Sequence, residues 1–234
     1  MPTVPRTVKV TCPECGKQFE PKKQQIEKQK LILAEGLDAH AFLFHATRAF
    51  QKLDVQVFNF EGKDQLRLFI QNLATMENFS KVNTLVIARD AETNVESAIQ
   101  SVQSALKNAA NVNLPIPAQP FQFTSANGIK TALILFPGPG PNGRCRTGMI
   151  EDLCLETVAH DPVLETCVNS FLECARQNQQ GNDKLKHPSK SKLHAYLAAK
   201  NDHAGKKLGV AAMAQVWNWD HPAMGHFKKI IQEM

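Results

Sequence analysis

The chain has 234 residues, 43% of them hydrophobic, with 27 basic and 22 acidic side chains and a formal net charge of +5. That length supports one sizeable core, or a domain with a smaller appendage. No apolar run approaches the ~18–20 residues of a membrane helix, and the opening MPTVPRTVKV lacks the apolar segment of a secretory signal, so a cytoplasmic protein without membrane contact is expected.

Charge is unevenly placed. Residues 1–30 carry seven basic and three acidic side chains, residues 31–174 ten and fifteen, and residues 175–234 ten and four, with five of the eight histidines in the last segment. An acidic middle between basic ends suits a cation-loaded site flanked by surface that attracts a polyanion; it also suits ordinary solvated surface. Six cysteines in a chain that is neither short nor evidently secreted read as reduced thiols, with Cys167 and Cys174 at a core-like helical spacing.

Residues 1–29 form a Pro- and Lys-rich extension. LILAE (31–35) then reads as a buried strand, and the apolar positions 39, 42, 43, 46, 50 and 53 mark one helix face. VQVFNF (55–60) predicts a second strand, KDQLRLFIQNLATM a helix and NTLVIARD (83–90) a third strand. The stripe at 95, 98, 99, 102, 105, 106 and 109 predicts a helix over 95–110. FQF (121–123) and KTALILF (130–136) read as the last strands, and the Pro- and Gly-rich 137–148 as a mobile loop. Helical patterns follow over 149–158, 162–177, 190–200 and 221–233.

Strands alternating with helices imply a mainly parallel sheet flanked by helices on both faces, and continuous apolar strands fit that. The expected organisation is an α/β domain over 30–160 and a helical region over 161–234.

Two strands end on carboxylates, Glu35 after LILA and Asp90 after VIAR, with Asp38 and Glu92 close behind. In open parallel sheets functional groups gather at the carboxyl ends of the strands. Clustered carboxylates repel one another unless a cation sits between them, and oxygen ligands are what Mg²⁺ prefers.

The pair LILAEGLDAHAF and TLVIARDAETN resembles the Toprim domain of topoisomerases, primases and overcoming-lysogenization-defect-type nucleases. FNFEGKDQLRLFIQNL, TGMIEDLCL and LGVAAMAQVWNWDHPAMGHFKKII resemble a poorly characterised prokaryotic family of Toprim-like proteins with a helical tail. The resemblance covers about residues 30–233. It implies a Toprim-like fold, with Glu35 as metal ligand or general acid/base and Asp90 as the first metal aspartate. Glu92 stands where the pattern has a second Asp, and its extra methylene changes the reach of the oxygens. Glu151 and Asp152 become a second metal position, as in two-metal nucleases, and Asp38 a weaker ligand. The implied metal is Mg²⁺ or Mn²⁺, and the implied activity is on phosphodiester bonds of nucleic acid.

Single acids at strand ends or helix starts also serve as solvated or capping groups. Lys63, Arg144 and Arg146 are anion contacts or solvated cations. CPECG (12–16) has the knuckle spacing of a zinc ribbon through Cys12 and Cys15, without a second pair nearby to close a four-ligand Zn²⁺ site. His40 and His45, five apart, do not share a helix face. The single tyrosine, Tyr196, lies far in sequence from the acids, which argues against a topoisomerase nucleophile. Two other functions stay open: a non-catalytic module working with a partner protein, and a zinc-stabilised nucleic-acid binder using the basic termini.

Overall fold

The computed structural model describes residues 25–109, 112–178 and 185–234, with a two-stranded antiparallel ribbon of β1 (Val10–Thr11) and β2 (Gln18–Phe19) before them. The Cys12 and Cys15 knuckle lies outside the described residues.

Five strands form the main sheet in the order β4-β3-β5-β7-β6: β3 (Lys30–Ala34), β4 (Val55–Asn59), β5 (Thr84–Asp90), β6 (Thr124–Ala126) and β7 (Ile129–Phe136). β3, β4, β5 and β7 run parallel and only the short edge strand β6 is antiparallel, so the α/β expectation holds. Registers are set by the two-sided core, with Ala34 opposite both Asn59 and Ala88. A slip of one residue would exchange the two faces.

On one face, Leu31, Leu33, Leu85, Ile87 and Leu133 pack on α2 (Leu66–Ala74) and α3 (Val95–Lys107). Asn94 starts α3 by accepting from the Ser97 amide at 2.8 Å, a side-chain N-cap. On the other face, Ile32, Ala34, Val86, Ala88, Ile134 and Phe136 meet α1 (Gly36–Ala49), α4 (Ile150–Glu156) and the C-terminal helices. Those are α5 (Asn169–Asn178), α6 (Pro188–Ala198), α7 (Leu208–Met213) and α8 (Gly225–Glu233).

The C-terminal helices therefore complete the core of the sheet. Phe227 of α8 lies 5.7, 5.5 and 5.9 Å, ring to ring, from Phe42, Phe50 and Phe136. Trp217 is fully buried and donates its indole N–H to the Leu208 carbonyl at 3.3 Å. The tail aromatics are packing residues.

α7 rides closely on α1. A Cβ built on Gly209 would sit 2.3 Å from that of Ala41, so only glycine lets the two backbones approach. Gly209→Ala is expected to cost about 1–3 kcal/mol by overpacking, read as a lower urea midpoint at unchanged slope.

Three local expectations are corrected. Residues 121–123 are not a strand: Phe121 has φ +60°, incompatible with a pleat, and the strand begins at Thr124. The 137–148 loop is folded upon itself. Gly140 N–H donates to the Arg144 carbonyl at 2.8 Å and Arg146 N–H to that of Gly138 at 3.1 Å. Cys167 and Cys174 are exposed, because Leu164, Val168 and Leu172 form the buried stripe of this helical segment. The four described cysteines are all unpaired thiols. Among the described residues no helix is long and apolar enough to cross a membrane.

Candidate functional site

The strand order reverses between β3 and β5. From β3 the chain crosses to β4 on one side, then returns to place β5 on the other. Loops therefore leave in opposite directions at this point and open a crevice above the carboxyl ends of the two strands. Glu35 and Asp90 stand at that crevice.

Glu35 is held by its backbone, its N–H donating to the Ala88 carbonyl at 3.1 Å. Gly36 then takes φ +84°, a left-handed turn open to glycine, and its N–H donates to Asn59 Oδ1 at 3.0 Å as the chain enters α1. Asn59 also receives the Glu61 N–H, at 2.8 Å. The neighbouring strand end thus secures the turn.

Glu35 follows the parity of Leu31 and Leu33, whereas Asp90 follows Val86 and Ala88. The two carboxylates consequently rise from opposite faces of one sheet edge. Arg89 shares the parity of Glu35, is buried at 3% exposure, and places Nε 3.4 Å from Glu35 Oε2 while donating to the Asp90 carbonyl at 3.2 Å. Glu35 Oε2 is itself buried without a hydrogen-bond donor. Burial raises the Glu35 carboxyl above its ordinary range; Arg89 opposes this and the charge of Glu92 adds to it.

Asp90 is the most perturbed acid of the site. Its carboxyl titrates at about 7, raised first by burial and then by the charge of Glu151, with Glu35 adding further. Opposing that, Asp90 Oδ1 accepts the Ile150 N–H at 2.8 Å, so the side chain also ties β5 to the start of α4.

Glu151 is buried at 5% exposure on the first turn of α4, and its Oε2 has no hydrogen-bond donor. Desolvation raises its carboxyl, with Asp38 and Asp152 adding and Lys190, 3.8 Å away, opposing. Cys154 is buried behind the pair, and both acids reinforce the rise that burial imposes on its thiol.

α4 reaches this position through a backbone clasp. Glu92, at φ +53°, donates its N–H to the Gly148 carbonyl at 2.8 Å and accepts the Gly148 N–H at 2.7 Å. Gly148 has φ +129°, and a Cβ there would meet Asp152 Oδ2 at 2.6 Å. The glycine is required twice, by conformation and by space.

The remaining sequence-predicted residues divide. Asp152 accepts the Met149 N–H at 2.8 Å and the Ser189 hydroxyl at 2.5 Å, one bond to each oxygen, and so acts as a cap and tether. The Glu92 side chain is half exposed and 3.5 Å from Lys63 Nζ, an ion pair in solvent. Asp38 stays on the rim, in the first turn of α1. Arg146 pairs with Glu156 at 2.7 Å, and Arg144 is exposed. Tyr196 is buried and donates its hydroxyl to Asp161 at 3.0 Å. Among the described residues, no three carboxylate, imidazole or thiol groups are gathered as a metal-ligating set.

Two cations escaped the sequence reading. Arg89 had a local signal, a charge interrupting the buried run TLVIA, whereas Lys190 had none because α6 reaches the crevice only by tertiary packing.

Neither the curated proteins nor the solved structures contain a match to this chain. Its residues 29–234, which hold the main sheet and helices α1 to α8, match the family described as protein of unknown function (DUF3226), and the chain belongs to that family.

Proposed function

We propose that the chain is a Toprim-like protein that binds Mg²⁺ or Mn²⁺ at Glu35, Asp90 and Glu151 and acts on phosphodiester bonds of nucleic acid. The observation that carries this reading is the pair of buried, donor-free oxygens, Glu35 Oε2 and Glu151 Oε2, flanking an Asp90 whose carboxyl titrates at about 7. Desolvated acids whose charges raise one another, Asp90 with Glu151 and Glu35, are electrostatically costly, and a divalent cation would offset that cost. The donors are all hard oxygens, which fits these two metals. Asp152 belongs outside the ligand set, since both of its oxygens already accept hydrogen bonds.

Bound there, the metal supplies charge neutralisation of a phosphate and activation of water. The protein's own groups supply the rest. Asp90, whose carboxyl is pushed up to about 7, would give up its proton to ligate a cation. Glu35, its carboxyl raised by burial, is the candidate for proton transfer. Arg89 holds Glu35 at the crevice wall, and Lys190 offers its exposed ammonium to a phosphate oxygen beside Glu151.

A second reading, a non-catalytic binding module working with a partner protein, draws on the opposite-face placement of Glu35 and Asp90 and on Glu92 being paired with Lys63. Its free thiols suit a cytoplasmic setting. The test is Mn²⁺ titration by calorimetry alongside cleavage of single- and double-stranded DNA and RNA. The wild type is expected to bind Mn²⁺ and cleave, with Glu35→Gln losing about 10²-fold or more in rate while remaining folded. Binding without cleavage selects the second reading. No Mn²⁺ binding by folded protein sinks the metal site.

A further inference from the structure

A cavity of about 820 Å³ opens next to the Glu92–Gly148 clasp, and none of Glu35, Asp90 and Glu151 lines it. Its volume lies within the ~300–1,000 Å³ range of small-molecule sites. The floor is the N-terminal turn of α3, one wall is the folded 137–148 loop, and the other is the start of α8.

Three features give this cavity a chemistry. Arg144 and Lys229 bring two cations from elements far apart in sequence, with the exposed Glu96 the one acid in the wall. Arg144 has no ion-pair partner among the described residues, and Lys229 has only an exposed contact to Glu233 at 3.8 Å. Phe121 and His226 supply rings 6.0 Å apart at 62°. Phe121 takes φ +60°, an uncommon conformation for a bulky residue, and is fixed by its N–H donating to the Leu133 carbonyl at 2.8 Å. Strain of that kind collects where a side chain must be aimed at a ligand.

The cavity also adjoins the backbone clasp that positions α4. Thr93 and Thr147 line it, and they are the next residues after and before the Glu92–Gly148 clasp.

We propose that this cavity binds an unpaired nucleotide of a single-stranded nucleic acid, its phosphate at Arg144 and Lys229 and its base against Phe121 and His226. The assignment rests on the phosphodiester reading of the carboxylate site and narrows its substrate to strands with exposed base faces. A base inside a duplex has both faces stacked and cannot use the rings, whereas aromatic platforms and basic grooves together bind single strands with little regard to sequence.

Binding of a 5′-fluorescein-labelled single strand of ~12 nucleotides to the full chain in EDTA tests this without metal. Replacing both exposed cations, Arg144→Ala with Lys229→Ala, is expected to weaken binding about tenfold or more and to lower the slope of log K against log salt by about 1.4, two phosphates at ~0.7 each. His226→Ala is expected to lose at least about fivefold through base stacking. The double variant is expected to keep wild-type Mn²⁺ affinity by calorimetry.

An unchanged affinity and slope in the double variant overturns the proposal. So does a matched duplex binding as tightly as the strand, or a mononucleotide competing at equal concentration. Failure of Mn²⁺ to bind, with strand binding and its salt slope as expected, would remove the carboxylate reading alone and leave the cavity assignment standing.

Discussion

Asp90→Asn is expected to abolish Mn²⁺ binding and, at pH 8, to melt higher than the wild type. The sign follows from linkage. Asp90 titrates at about 7 in the folded protein against about 3.9 for an unperturbed aspartate. Between those values the folded state binds more protons than the unfolded one, so stability falls as pH rises from about 4 through about 7 and the penalty is complete above 7. Three pH units correspond to an upper bound near 4 kcal/mol, which relaxation around Lys190 and Glu151 reduces.

Asparagine keeps an Oδ1 to accept the Ile150 N–H and removes the charge. A gain of about 2 kcal/mol would raise the melting temperature by roughly 4–8 °C at pH 8, shrinking to about a third of that at pH 5. In the wild type, apparent Mn²⁺ affinity should rise about tenfold per pH unit up to 7 and flatten above it, since ligation requires the carboxylate. A variant less stable than wild type at pH 8, with Mn²⁺ affinity independent of pH, would remove Asp90 from the site.

The second large effect concerns the C-terminal helices. Phe227→Ala is expected to cost about 3–5 kcal/mol, because Phe227 is buried among Phe42, Phe50 and Phe136 and truncation leaves a cavity that these rings cannot close. At 2–4 °C per kcal/mol for a chain of this length, the melting temperature should fall by about 10 °C in one transition that removes sheet signal and Mn²⁺ binding together. Leu37→Ala, at a position 75% exposed, should stay within about 0.5 kcal/mol of wild type. Two separate transitions for Phe227→Ala, with the sheet unaffected, would make residues 161–234 an independent unit after all.

Much of the fold was legible in the sequence because its signals are local. Runs such as LILA and TLVIA are apolar without alternation, which only a strand covered on both faces requires, and the 3.6-residue stripes of α1 and α3 name their buried sides directly. Glu35 and Asp90 were legible for the same reason, as acids where apolar runs stop. The FQF run misled because apolar content does not report φ, and the positive φ of Phe121 is set by its hydrogen bond to Leu133, twelve residues away. Cys167 and Cys174 misled because a seven-residue spacing puts two residues on one helix face without saying which face is buried, and the buried one carries Leu164, Val168 and Leu172.

The sequence by itself determined the elements, the two-sided parallel sheet and which acids stand at strand ends, since propensity and periodicity act within a few residues of chain. Only the tertiary structure decided that the strand order reverses between β3 and β5, and that Asp90 and Glu151 are buried together while Asp152 is tied to Met149 and Ser189. It also decided that Arg89 and Lys190 supply the counter-charges, and that the tail forms the core of one sheet face. Those outcomes depend on contacts between residues tens of positions apart, which are selected by packing and desolvation of the whole molecule and leave no periodic trace in the local chain.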